Sequence, residues 1–382
     1  MLLGRGLNVT VLGDDNSYIN KYLNDKNLIF NKFKISEDSK YYSSDNDFFI
    51  LSLSYIVLAR KYIEFNANSQ LFFWDLHPYA LIETLSFSKF YKIKTPKFVI
   101  DLLKFVECSY IKKMRNIIQI GHEKGGIHFM CYQNFLTNKD FFALDFSPDF
   151  LPIPIKIFKP FDYIKNKNHL CWISRLDKDK TSVLKILIDD VIQYNNNNED
   201  KLILHIVGDG NSVENVKKIA SGYSIFFLFP GILNGDKLSE YMISNQIRIG
   251  FAMGTSALEF ASRGIATVLV PGTTEKDFFF DKTSRYLWIY DSYNYDVAVA
   301  RFHFSGGRLC SFDDIIKSTD NNNSKLSYEY VLNTHSESVI FKKLMGKIEK
   351  NELKFSDLEK SGIFDLNILH KLKIMYKGIF KK

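Results

Sequence analysis

Residues 247–271 read IRIGFAMGTSALEFASRGIATVLVP, and their pattern decides how the carboxy-terminal half of the chain folds. Ile247, Ile249 and Phe251 form an apolar run that meets Gly254-Thr255-Ser256. A helix-sized segment with one acid, Glu259, follows, and Gly264 ends it before a β-branched run at 266–270. The succession is strand, tight turn, short helix, strand. Such a turn leaves the backbone N–H groups of 254–257 without intrahelical partners at the positive end of the helix dipole, which is a seat for phosphate. Glu259 lies near enough to the start of that helix to accept from ribose hydroxyls of the same ligand. The same residues also read as an ordinary helix start, with Ser256 a cap and Glu259 an acid set against the dipole.

The rhythm continues upstream. Runs at 170–174, 202–207, 225–229, 247–253 and 266–270 have strand character, and segments near 182–194, 212–220, 236–243 and 256–262 have helical character. Regular alternation of this kind implies a parallel, doubly wound sheet covered on both faces, with ligand groups supplied by the loops at the strands' carboxyl ends. The loop 174–181, SRLDKDKT, carries Arg175 and Lys180, two cations placed to hold a diphosphate. The next, in HIVGDGN, offers Gly208, Asp209 and Gly210 for close backbone approach to a ligand. It is not a dinucleotide fingerprint, because Val213 stands where the third glycine of G-x-G-x-x-G belongs.

From 170 to 271 these residues resemble the donor-binding domain of a GT-B fold glycosyltransferase, similar to family 4. The resemblance is carried by WISRLDKDK, LHIVGDG, FPGILNGDKLSEY and FAMGTSALEFASRGIATVLVP. It implies that Arg175 and Lys180 contact the donor diphosphate, that Glu259 holds the nucleotide ribose, and that Gly254, Thr255 and Ser256 open the phosphate-facing helix. It also implies that the loop of Pro230, Gly231 and Ile232 lies against the base. The activity it implies is transfer of a sugar from a nucleotide diphospho-sugar to a saccharide or lipid-linked saccharide, with retention, in surface-polysaccharide synthesis such as O-antigen or capsule. No cofactor and no metal are expected, the basic loop taking a metal's place at the leaving phosphate. Phe251 departs from the family, which has a sugar-side glutamate eight residues before the ribose-binding one. That departure keeps open a non-catalytic nucleotide-sugar-binding or scaffolding protein of GT-B descent.

The expected architecture is α/β, with two Rossmann-like doubly wound domains at 1–155 and 156–325 and carboxy-terminal helices at 326–382 crossing back to the first domain. The amino-terminal domain is expected to lack its first strand, since only six residues precede the strand-like LNVTVL at 7–12. In that domain Asp75 and His77 follow a strand at 70–74 and are the candidates for positioning the acceptor, His77 as an acid or base. The connector starts at LPIP, 151–154.

Composition sets the remaining bounds. With 382 residues, 46% hydrophobic and 24% charged, the chain has material for two cores and is not a disordered sequence. A net charge of +7 suits acidic ligands or an anionic membrane face and is too weak to imply nucleic acid. Much of it is local: 87–116 holds seven lysines and Arg115 against Asp101 and Glu107. That stretch reads either as a basic, aromatic helix lying on a membrane or as a core helix with a solvated edge. Cys108, Cys131, Cys171 and Cys310 are widely spaced, as in a reducing compartment, and no secretory signal opens the chain. These features point to the cytoplasm, at the inner face of the cytoplasmic membrane if the basic surface is used.

Overall fold

Strands buried on both faces need near-continuous apolar sequence, and the second half of the chain provides it. The computed structural model describes residues 9–13, 31–34, 39–75, 97–130, 139, 141–146, 149–161, 168–271, 284–292, 295–297 and 309–366. The chain divides into two compact units, one of Met1–Leu151 with Phe341–Lys382 and one of Pro152–Ile340.

In the first unit, β1 (Thr10–Gly13) pairs with β2 (Asn31–Lys34), and β3 (Tyr41–Tyr42) pairs with β5 (Ile63–Glu64). β4 (Phe48–Leu51), β6 (Gln70–Asp75) and β7 (Ile127–Phe129) form a third sheet with β6 at its centre. All these pairings are parallel, and among the described residues they fall into three small sheets where one continuous sheet was expected. Among the described residues of this part, two longer helices are α1 (Ile56–Tyr62) and α2 (Lys97–Glu123). The second half of α2 is core-facing, with Met114, Ile117 and Ile118 packed beside Leu71, Phe73 and Phe129. Its first half presents Lys104, Phe105 and Cys108 to solvent.

The second unit is built on a seven-stranded sheet in the order β10-β9-β8-β11-β12-β13-β14. Its elements are β8 (His169–Ile173), α3 (Lys178–Asn197), β9 (Ile203–Val207), α4 (Val213–Ala220), β10 (Phe227–Gly231) and α5 (Gly235–Ser244). They continue with β11 (Ile249–Ala252), α6 (Thr255–Ala261), β12 (Ala266–Leu269), β13 (Ser284–Trp288) and β14 (Cys310–Ser311). β8 to β12 are mutually parallel, as the alternation implies, and every residue of β11 and β12 is buried. β13 joins β12 antiparallel, and β14 continues that edge.

Two cores sandwich this sheet. Leu170, Trp172, Ile206 and Phe251 face α3, while Cys171, Val207, Ala252 and Leu269 face α5 and α6. Phe251 lies in the first of these cores. It stacks on Phe312 at 5.8 Å and meets Tyr286 edge-on at 5.5 Å.

The later described residues carry α7 (Phe312–Ser318), α8 (Asn321–Thr334), α9 (Glu337–Ile348) and α10 (Phe355–Lys360). The expected boundary at 325/326 falls inside α8, which belongs to the second unit because Val331 packs with Leu258 and Leu269, and Ser327 accepts from the Thr267 N–H. The division between the units falls inside α9 instead.

Candidate functional site

The strand order reverses between β8 and β11, which makes their carboxyl ends the topological switch point of the sheet, where open α/β sheets bind ligands. The residues after β8 and β11 therefore form the candidate site.

After β8, Trp172 donates its indole N–H to Ser174 Oγ at 2.7 Å, and the Leu176 N–H donates to the Asp209 carbonyl at 2.9 Å. Asp177 stands at the N-cap position of α3 in an extended conformation, with no side-chain capping bond, and the helix starts at Lys178, four residues before the expected start. Lys180 thus sits in the first turn of α3 and not in a loop. Its Nζ donates to Met253 Sδ at 3.1 Å, which brings a cation across the switch point to the residue before Gly254. Arg175 is exposed, with Asp177 3.5 Å from its guanidinium, an arrangement too solvated to hold it rigidly.

Gly208 and Gly210 do approach a backbone closely, but the backbone is that of the neighbouring loop. At Gly208 φ is +137°, and a Cβ there would lie 1.9 Å from the Ser174 carbonyl oxygen; at Gly210 it would lie 2.7 Å from that of Leu176. Asp209 accepts the Gly210 N–H on its own carboxylate at 2.8 Å. The glycines weld the β8 and β9 loops together, and this packing accounts for the GDG sequence by itself. Gly231 differs, having open space where a Cβ would stand, and Ile232 beside it is 68% exposed.

At the turn into α6, Gly254 adopts φ +63°, ψ −141°, a conformation open essentially to glycine alone, with nothing within 4 Å of a Cβ position. Of the four N–H groups expected to be available, two are used. Gly254 donates to the Val297 carbonyl at 2.7 Å and Ala257 to the Gly254 carbonyl at 3.1 Å, leaving those of Thr255 and Ser256 without a backbone partner among the described residues. Ser256 is not a cap, since Gly254 holds that position and no side chain caps the helix.

Glu259 is one turn further on, its side chain 34% exposed, with Oε2 bonded to the guanidinium of fully buried Arg263. That partner was legible as an i, i+4 pair and is absent from the sequence reading. Met253 is a second such residue, and no short-range pattern announces its contact with Lys180.

Asp75 belongs to the first unit and ends β6. It is fully buried and accepts from Ser52 Oγ at 2.9 Å, and burial pushes its carboxyl up to about 7. His77 lies outside the described residues.

No family model and no curated protein matches the sequence. Among solved structures, that of Anabaena Alr3699/HepE in complex with UDP is similar over 90% of this chain and 100% of that one, at 9% identity and TM-score 0.52. HepE with UDP and glucose gives 89% and 91%, 8% identity and TM-score 0.50. A variant of S. aureus TarM bound to UDP matches 59% of this chain at 13% identity and TM-score 0.38, and the chain spans 44% of TarM's length. At these identities the likeness is one of fold, and the fold is that of GT-B glycosyltransferases.

Proposed function

We propose that this GT-B protein is a glycosyltransferase that moves a sugar from a uridine diphospho-sugar to a saccharide or lipid-linked saccharide acceptor. The observation that carries the reading is the meeting of Lys180 with Met253 at the switch point, beside the open Gly254 turn and the two N–H groups of Thr255 and Ser256. Uridine is the base to test first because HepE binds UDP.

In the reaction the bond between the anomeric carbon and the diphosphate oxygen breaks, a bond to the acceptor oxygen forms, and the acceptor hydroxyl loses its proton. Negative charge grows on the departing diphosphate. Lys180, Arg175 and the N–H groups of Thr255 and Ser256 stabilise it, and loss of one such donor commonly costs about 10²- to 10³-fold in turnover. Glu259 accepts from the ribose, and Ile232 lies on the base. Retention at the anomeric carbon and a role in surface-polysaccharide synthesis complete the proposal.

No helix among the described residues is long and apolar enough to cross a membrane. Exposed Phe105 beside Lys104 on α2 supports contact with an anionic membrane surface at the cytoplasmic face.

The test is turnover of a UDP-sugar panel with extracted acceptor lipid, wild type beside Arg175→Ala and Glu259→Ala. A fall of about two orders of magnitude in Arg175→Ala supports the leaving-group role. Tight UDP binding without turnover of any donor favours the non-catalytic reading, which the burial of Phe251 at the sugar-side position supports.

A further inference from the structure

Arg263 is 0% exposed, and the contacts it makes converge on the candidate site. Its guanidinium carbon lies 3.9 Å from the centroid of the Phe158 ring. Nε donates to Ser239 Oγ at 2.8 Å, Nη2 to the Gly235 carbonyl at 3.3 Å, and Nη1 to the Glu259 carbonyl at 2.8 Å and to Glu259 Oε2. Burying a guanidinium is unfavourable unless its donors are met, and a well-packed apolar side chain usually serves stability as well or better. The arrangement therefore needs a reason other than stability. The geometry supplies one: Arg263 takes Oε2 of a carboxylate whose Oε1 accepts from no described residue and whose side chain is one-third exposed. The same guanidinium bonds Gly235 and Ser239, at the start of α5, the helix that follows the Gly231–Ile232 loop.

We propose that Arg263 is a positioning residue that locks Glu259 by Oε2, so that Oε1 is presented to the ribose diol of a nucleoside diphosphate in register with the base-side loop. This rests on the nucleotide-sugar reading above. A free glutamate would populate several rotamers and lose that freedom on binding; a guanidinium clamp removes the loss beforehand. The clamp is a consequence of this chain's own Arg263 and Phe158.

The experiment compares affinities for a nucleoside diphosphate and its 2′,3′-dideoxy counterpart, using whichever of UDP, ADP and GDP binds wild type most tightly. The measured quantity is the ratio of the two dissociation constants, which a loss of stability alone does not move. Wild type should discriminate by about 10-fold or more, the effect of removing hydrogen bonds to a charged acceptor. Glu259→Ala should bring the ratio to about one. Arg263→Gln should do nearly the same with Glu259 still present, and should have no further effect on the ratio in the Glu259→Ala background. Folded Arg263→Gln that keeps the wild-type ratio overturns the proposal. If Arg263→Gln does not fold, Ser239→Ala and Phe158→Leu decide: each loosens the clamp and should reduce the ratio about 2- to 3-fold, and an unchanged ratio in both overturns it. Failure of the parent reading looks different. In that case wild type binds none of the diphosphates, or Glu259→Ala leaves the discrimination intact.

Discussion

Replacing Asp75 with asparagine should remove a loss of the first unit's stability between pH 4 and 8. The carboxyl is fully buried, and bonds from Ser52 and from the Leu53 backbone hold it down less than burial lifts it, from the ordinary 3.8 to about 7. The folded protein thus keeps a proton that the unfolded chain releases near 3.8. Between these values the folded state binds more protons, so the contribution is fully present below about pH 4 and is lost as pH rises through 7. At 1.36 kcal/mol per pKa unit, the loss comes to about 4 kcal/mol by pH 8. Asparagine fits the same space without a proton to lose. Asp75→Asn should therefore match wild type within about 1 kcal/mol near pH 4 and exceed it by about 2–4 kcal/mol at pH 8. Urea unfolding from pH 4 to 8, followed by hydrogen exchange in a peptide covering 70–75, reads this unit separately from the other. Parallel stability curves for the two proteins, or a variant no more stable at pH 8, would refute the argument.

Lys180→Met removes the cation at the switch point while keeping a side chain against Met253; kcat/KM for the preferred donor should fall about 10²- to 10³-fold at an essentially unchanged melting temperature. Steady-state kinetics beside a thermal melt checks this, and unaltered turnover rules out the leaving-group role. In the second unit, His205 bonds His169 at 2.8 Å and the Tyr241 hydroxyl at 2.7 Å, and burial followed by the neighbouring His169 lowers it to about 4. A depressed histidine favours the fold above its ordinary value near 6.5, and that contribution is lost as pH falls from 6.5 towards 4. Wild type should lose about 1 kcal/mol per pH unit more than His205→Leu over that window, measured as urea midpoints for this unit.

The parallel part of the second unit was legible because its strands are short apolar runs, most of them closed by Gly or Pro. Five of the seven, β8 to β12, lie within two residues of their expected positions, and their parallel order follows from the helices between them; the antiparallel edge of β13 and β14 carried no such signal. The start of α3 at Lys178, and with it the helical setting of Lys180, was not legible, because an acid in a charged loop looks like any other until its backbone is seen. Gly208 and Gly210 show a different limit. Glycine signals close approach and does not say to what, and here the partner is the Ser174–Leu176 backbone. The Glu259–Arg263 pair was local enough to be found, yet a surface ion pair and a buried clamp have the same spacing. The small sheets of the first unit rest on contacts far apart in sequence, which periodicity does not encode.

The first unit's core joins Leu53, Leu71, Phe73 and Met114 to Leu353, Phe355, Leu358 and Phe364, and the Leu71 N–H donates to the Leu353 carbonyl at 2.9 Å. On the ribosome, the amino-terminal part of that core emerges first and then waits while roughly 190 residues of the second unit are made, on the order of 10–40 s at about 5–20 residues per second. Throughout that interval Leu71, Phe73 and the apolar face of α2 lack their closing partners, whereas the second unit emerges with its own in sequence. Biogenesis therefore runs out of order: the later half of the chain is complete first, and the earlier half needs shelter until residues 353–364 leave the tunnel.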